Sequence, residues 1–166
     1  MAELGAEIAA DYEGREPLLV APLKSSTVFL ADLSRALPIL HTIDVIEMAA
    51  YSDGRRGGVR LLKDLDVPIA GRDVIIVEDV VDTGLTLAFL NRTLAERDPA
   101  SIAAVALLDR PYRRLVEKIG LRYVGFTVPD ELFAGYGLGL EEQWRALPDL
   151  RTIPAEALPA AATDAA

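Results

Sequence analysis

The segment that most limits how this chain can fold is Val74-Ile75-Ile76-Val77-Glu78-Asp79-Val80-Val81-Asp82-Thr83-Gly84-Leu85-Thr86. Its first four residues are an apolar, β-branched run, which marks a strand buried on both faces of a parallel sheet. Behind it comes Leu87-Ala88-Phe89-Leu90-Asn91-Arg92-Thr93-Leu94, in which Leu87, Leu90 and Leu94 share one helix face. The order is therefore strand, acidic turn, hydroxyl-and-glycine turn, helix. Open α/β sheets bind ligands at the carboxyl ends of such strands, where Glu78 and Asp79 stand. Asp82-Thr83-Gly84-Leu85-Thr86 adds backbone N–H groups, two hydroxyls and a helix N-terminus, a combination that favours a phosphate. One end of the segment suits sugar hydroxyls or a metal ion and the other a phosphomonoester, so the pair points to a sugar phosphate. Singly, each residue has an ordinary structural use, such as capping a helix. Three carboxylates beside a phosphate-type loop repel one another unless a cation or ligand sits among them.

The rest of the chain repeats the alternation. The spacing of Leu4 and Ile8 predicts a helix over 3–11, and an apolar run predicts a strand over 18–21. A helix over 26–37 turns Phe29, Leu30, Leu33 and Leu37 inward. Strands follow over 43–50 and 59–63, separated by the polar, glycine-rich stretch 52–58. Beyond the central helix come a strand at 102–108, a helix at 112–118 and a strand at 123–126. This pattern predicts an α/β, doubly wound, mainly parallel sheet, with an antiparallel edge where 43–63 doubles back. One domain is expected over 1–153, followed by a disordered Ala- and Pro-rich tail at 154–166. His41, the single histidine, is assigned to the surface.

Composition excludes several classes. The 166 residues carry a net charge of −9, which argues against a nucleic-acid surface, and Arg110, Arg113 and Arg114 are too small a cluster to reverse it. No apolar run approaches the length of about 18 residues that suggests a membrane span. The first dozen residues lack the basic and apolar regions of a secretory signal, which leads to the expectation of a cytoplasmic protein. With no cysteine, disulfides, thiolate metal sites and cysteine nucleophiles are excluded.

The segment 77–86 resembles the phosphoribosyl-diphosphate signature of type I phosphoribosyltransferases, and the wider chain is similar to their hypoxanthine-guanine branch. The matching pieces include Leu4-Gly5-Ala6-Glu7-Ile8, Leu18-Leu19-Val20, Leu23-Lys24, Leu61-Leu62-Lys63-Asp64-Leu65 and Leu107-Leu108-Asp109. Val124-Gly125-Phe126, Pro129-Asp130-Glu131 and Gly135-Tyr136-Gly137-Leu138 continue the match. The resemblance implies transfer of ribose 5-phosphate from phosphoribosyl diphosphate to hypoxanthine or guanine, with release of pyrophosphate in purine salvage. It implies magnesium as cofactor, no nucleic-acid or membrane partner, and a homodimer or homotetramer. A small hood over about 126–150 would bind the base, and a lid over about 51–58 would close on the reaction.

Residue by residue, the resemblance puts Glu78 and Asp79 on the ribose hydroxyls and near the magnesium ion, which is held mostly through substrate and water. Asp82, Thr83, Gly84, Leu85 and Thr86 would wrap the 5′-phosphate, and Asp82 would also serve as general acid/base at the purine N7. Lys24, Ser25 and Arg145 would hold pyrophosphate; outside this context Lys24 reads as solvated surface and Arg145 as half of a helix-face ion pair. Arg110, Leu132 and Phe133 would meet the base.

Four positions depart from the family pattern, all on the base and pyrophosphate side. Arg110 stands where a lysine usually donates to the 6-oxo group, and a rigid fork replaces a point charge. Leu132 takes the place of an aromatic residue that stacks on the purine, with Phe133 adjacent. Gly139 replaces an aspartate that supports a second magnesium, a role for which Glu141 or Glu142 is the nearest substitute. Ser25 replaces a glycine. These departures keep open a different heterocyclic base, or a regulatory protein that binds the nucleotide or phosphoribosyl diphosphate with little turnover.

Overall fold

Val74, Ile75, Ile76 and Val77 are fully buried at the middle of a six-stranded sheet. The computed structural model describes residues 1–52, 57–140 and 142–154. In chain order the elements are α1 (Ala2–Asp11), β1 (Leu18–Pro22), α2 (Thr27–Ala36), β2 (Thr42–Ser52), β3 (Gly57–Lys63) and β4 (Asp73–Val81). There follow α3 (Leu85–Ala95), β5 (Ser101–Asp109), β6 (Leu121–Thr127), β7 (Leu132–Ala134) and β8 (Arg151–Ile153). The large sheet runs β3-β2-β1-β4-β5-β6 and is parallel except between β2 and β3, which form the expected antiparallel edge. β7 and β8 pair separately as a small antiparallel ribbon.

Alternation along β4 divides the core in two. Ile75 and Val77 join Leu4 and Ile8 of α1 and Phe29 and Leu33 of α2 on one face. Val74 and Ile76 join Leu87, Leu90 and Leu94 of α3 on the other. Helices thus cover both faces, which is the doubly wound arrangement. From β1 the chain steps outward to β2 on one side and returns to β4 on the other. The strand order reverses between β1 and β4, and a crevice opens beyond their carboxyl ends.

Two expectations need correction. The helix expected at 112–118 is only a 3₁₀ turn, Pro111–Arg113. Its continuation is lost because the N–H groups of Leu115 and Val116 donate to the Thr83 carbonyl, at 2.9 and 3.3 Å, rather than back along a helix. His41 is half-buried: its Nδ1 donates to the Ile39 carbonyl and its Nε2 meets the Ser34 hydroxyl, both at 2.8 Å. Of the lid expected at 51–58, residues 53–56 lie outside the described residues and the flanking positions belong to β2 and β3. Glu141 and the tail from 155 onward also lie outside the described residues. Among the described residues no helix is long and apolar enough to cross a membrane.

Candidate active site

The paired strands β1 and β4 end side by side at the fold's central crevice, where Ser26 and Asp79, 53 positions apart, meet. On the β4 side Glu78 is 4% exposed, and its Oε1 has no hydrogen-bond partner among the described residues. Burial, with the neighbouring Asp79 charge adding to it, pushes the Glu78 carboxyl up to about 8. Asp79 is half-buried and accepts the Ser26 hydroxyl at 3.4 Å. Ser26 is fully buried at the start of α2, so the helix after β1 is tied to the acid pair on β4.

The hydroxyl-and-glycine turn leads from β4 into α3. Gly84 caps the helix with φ 81°, in the left-handed region. A β-carbon at Gly84 would lie 3.1 Å from Ile119 Cγ2 and 3.3 Å from the Val116 carbonyl oxygen. The Thr83 hydroxyl accepts the Leu85 N–H at 3.3 Å. With Glu78, Asp82 and Thr86, the turn lines a cavity of about 80 Å³. No carboxylate lies in the first turn of α3, so its positive end is left to a ligand.

A second cavity, of about 340 Å³, lies between the ends of β4 and β5 and the β7 segment. Asp79, Asp82, Arg110, Leu132, Phe133 and Arg145 all contribute to it. Arg110 follows β5 directly, and its N–H donates to the Val81 carbonyl at 2.9 Å. Its guanidinium meets Asp82 at 3.4 Å and Asp130 at 2.6 Å, while Nε is buried without a partner among the described residues. Arg113 also donates to Asp130, at 2.7 Å, and the two arginines hold the Asp130 carboxyl below the usual range, Arg113 first. One oxygen of Asp82 is likewise buried and unpaired among the described residues.

The third cavity, of about 350 Å³, lies between the end of β1 and the β2–β3 ribbon. It is lined by Ser25, Ser26, Met48, Val59, Glu78 and Thr86, among others. The loop after β1 carries Lys24 and Ser25, and its Leu23–Lys24 peptide bond is cis. Lys24 donates to Glu142 at 3.0 Å, and Arg145 donates to the other Glu142 oxygen at 2.9 Å and to the Gly137 carbonyl at 3.0 Å. Gly139 has no room for a side chain, since a β-carbon there would stand 2.7 Å from Arg145 Cγ and 2.8 Å from the Gln143 carbonyl oxygen. Glu142 is thus engaged by two cations.

All three cavities share Val80, and neighbouring ones share Glu78, Asp79 or Asp82. Every site residue expected from the sequence lines one of them, apart from Lys24 at the rim and Leu85, which is exposed in the turn itself. Ser26, Asp130 and Glu142 join the site through partners distant in sequence. Ser26 carries a local signal as the hydroxyl preceding a helix, and Asp130 lies in one of the matching pieces. Glu142 is expected from the sequence as a substitute metal carboxylate rather than as a partner of Lys24 and Arg145. The arrangement presents an anion cradle, a pair of acids of which Glu78 is buried, and a larger mixed cavity side by side. It suits a phosphorylated sugar with a flat heterocycle beside it.

Residues 1–138 match the family model for the phosphoribosyl transferase domain. Over 161 residues the chain is 41% identical to a hypoxanthine-guanine phosphoribosyltransferase of Mycobacterium tuberculosis (strain ATCC 25618 / H37Rv), covering 92% of this chain and 79% of that one. A solved hypoxanthine phosphoribosyltransferase of Staphylococcus aureus superposes with a TM-score of 0.89 at 37% identity, over 95% of this chain and 86% of that one. The bifunctional protein TilS/HprT of Listeria monocytogenes serotype 4b (strain F2365) is 40% identical over a match of 156 residues that covers 93% of this chain. That match spans only 24% of the Listeria protein. Identity at this level over most of both chains, with the same fold, makes this protein a member of the phosphoribosyltransferase family, in its hypoxanthine-guanine branch.

Proposed function

We propose that this protein transfers ribose 5-phosphate from phosphoribosyl diphosphate to hypoxanthine or guanine, releasing pyrophosphate in purine salvage. The observation that carries this reading is the row of three cavities along the end of β4. The smallest takes the 5′-phosphate on the backbone of 83–86, the mixed cavity takes the base, and the ribose and diphosphate lie between them at Glu78 and Asp79.

A purine nitrogen attacks C1′ as the C1′–oxygen bond to the diphosphate breaks, and the bonding electrons leave with pyrophosphate. Positive charge develops on the sugar, next to the acid pair. Glu78 and Asp79 accept from the ribose hydroxyls, and Asp82 moves a proton at N7 from its place between the loop and the base cavity. Arg110 can donate but not accept, so it favours a 6-oxo group over a 6-amino group. Its unpaired buried Nε supports an acceptor on the ligand. Leu132 and Phe133 supply the apolar wall, and Lys24, Ser25 and Arg145 receive the leaving group.

The donor set also fits magnesium. Burial and a second acid disfavour the charged form of Glu78, and one of its oxygens is unpaired among the described residues, so a cation there would stabilise the carboxylate. Magnesium takes few protein carboxylates when substrate oxygens and water complete its shell. When bound it would neutralise charge on the diphosphate, with Glu78 and Asp79 as its protein-side ligands.

The test is pyrophosphate release from phosphoribosyl diphosphate with magnesium, in the presence of hypoxanthine, guanine, xanthine or adenine. Turnover with hypoxanthine or guanine and little with adenine is expected. Binding of phosphoribosyl diphosphate without turnover on any purine would overturn the salvage reading.

A further inference from the structure

Lys24 and Arg145 share one acid. Lys24 Nζ donates to Glu142 Oε2 at 3.0 Å and Arg145 Nη2 donates to Glu142 Oε1 at 2.9 Å. One oxygen goes to each cation, which is how the two ends of a diphosphate would engage them. Arg145 first, then Lys24, holds the Glu142 carboxyl below its usual range. The side chains of Lys24 and Glu142 are each 65% exposed, so water reaches the pair and an exchange of partners is cheap.

The backbone at Glu142 argues separately. Its φ is 66°, in the left-handed region. It is the third residue of a turn closed by the Gln143 N–H on the Leu140 carbonyl at 2.9 Å, a position that suits glycine or asparagine. A glutamate sits there against local preference, and among the described residues its side-chain partners are these two cations.

We propose that Glu142 is a built-in competitor for the diphosphate: its carboxylate holds Lys24 and Arg145 in the free enzyme and is displaced when the diphosphate binds. This rests on the assignment of Lys24 and Arg145 to the pyrophosphate. An anion that takes both cations must displace both Glu142 pairs. Glu142 therefore lowers the affinity for the diphosphate. It also speeds product release, because a tethered acid at high effective concentration reoccupies the cations as pyrophosphate leaves.

The experiment is calorimetric titration of magnesium pyrophosphate into the full chain, and into its Glu142→Gln and Glu142→Asn variants. A nucleoside 5′-monophosphate, which leaves the diphosphate position empty, is titrated alongside. Both variants are expected to bind pyrophosphate about three- to tenfold tighter, with the monophosphate unchanged. Unchanged or weaker pyrophosphate binding in both variants overturns the competitor role, as does equal tightening of both ligands. A wild-type chain that binds neither ligand instead takes down the transferase reading, and this proposal with it.

Discussion

Arg110 lies with its Nη1 3.4 Å from Asp82 Oδ2, joining two residues 28 positions apart in sequence. Its other arm donates to Asp130 at 2.6 Å, and the Arg110 side chain is only 7% exposed. The residue proposed to handle a proton is thereby tied to the segment proposed to cover the base. A lysine at 110 would have one ammonium to divide between these two acids and a ligand oxygen.

Arg110→Ala should therefore do more than remove a base contact. It leaves Asp82 and Asp130 without a shared cation, and their partial exposure, 34% and 46%, limits the penalty to about 1–3 kcal/mol. Denaturant unfolding reads that loss. The KM for the purine should rise more than the KM for phosphoribosyl diphosphate. Equal rises in both would remove Arg110 from the base cavity.

Asp82→Asn keeps the shape of the loop but cannot exchange a proton. Turnover should fall by about 10²–10⁴ while phosphoribosyl diphosphate still binds. Single-turnover kinetics with a separate binding titration distinguishes the two effects, and unchanged turnover would remove the acid/base role.

Leu132 lines the mixed cavity from β7, beside Phe133, which packs against the main core. Leu132→Phe should tighten purine binding, by up to about 1–3 kcal/mol if the ring stacks fully. Equal purine affinity in the variant and wild type would place the base away from residue 132.

The β4–α3 segment was legible in sequence because its signals are local: an apolar run, then acids, then a glycine that adopts φ 81°. The sheet's edge and both helix-covered faces followed from periodicity. Residues 112–118 misled, because their helical pattern loses to the Thr83 carbonyl, a partner some thirty residues earlier. β8 also escaped notice, since three residues carry little pattern and gain their pairing from β7. The pairing of Lys24 with Glu142 spans 118 positions, and no periodicity announces it.

Gly139 offers a test of why the family's aspartate is missing. The space its β-carbon would fill is taken by Arg145 Cγ, 2.7 Å away, and by the Gln143 backbone oxygen at 2.8 Å. Restoring the acid, Gly139→Asp, should push Arg145 out of place instead of creating a working metal ligand. Affinity for pyrophosphate should drop about tenfold, equivalent to about 1.4 kcal/mol. A gain in affinity that depends on added magnesium would show that the site can be rebuilt for a second ion.

Glu78 sets a pH dependence whose sign can be worked out. Its carboxyl titrates near 4.5 when exposed and at about 8 in the folded, metal-free protein, with burial the leading cause and Asp79 the second. Between these values the folded state holds a proton that the unfolded state has already released. The stability this provides is complete below about 4.5 and is lost progressively as pH rises through about 8. Glu78→Gln cannot ionise, so the part of the slope due to this group should vanish. Thermal unfolding of the metal-free proteins from pH 5 to 9 should show wild type losing stability relative to Glu78→Gln as pH rises. Parallel curves would mean that Glu78 is already ionised at neutral pH. The same titration predicts that magnesium, whose charge favours the carboxylate, releases protons when it binds to wild type with phosphoribosyl diphosphate near pH 7. Calorimetry in buffers of different ionisation enthalpy measures that release, and Glu78→Gln should release fewer protons than wild type.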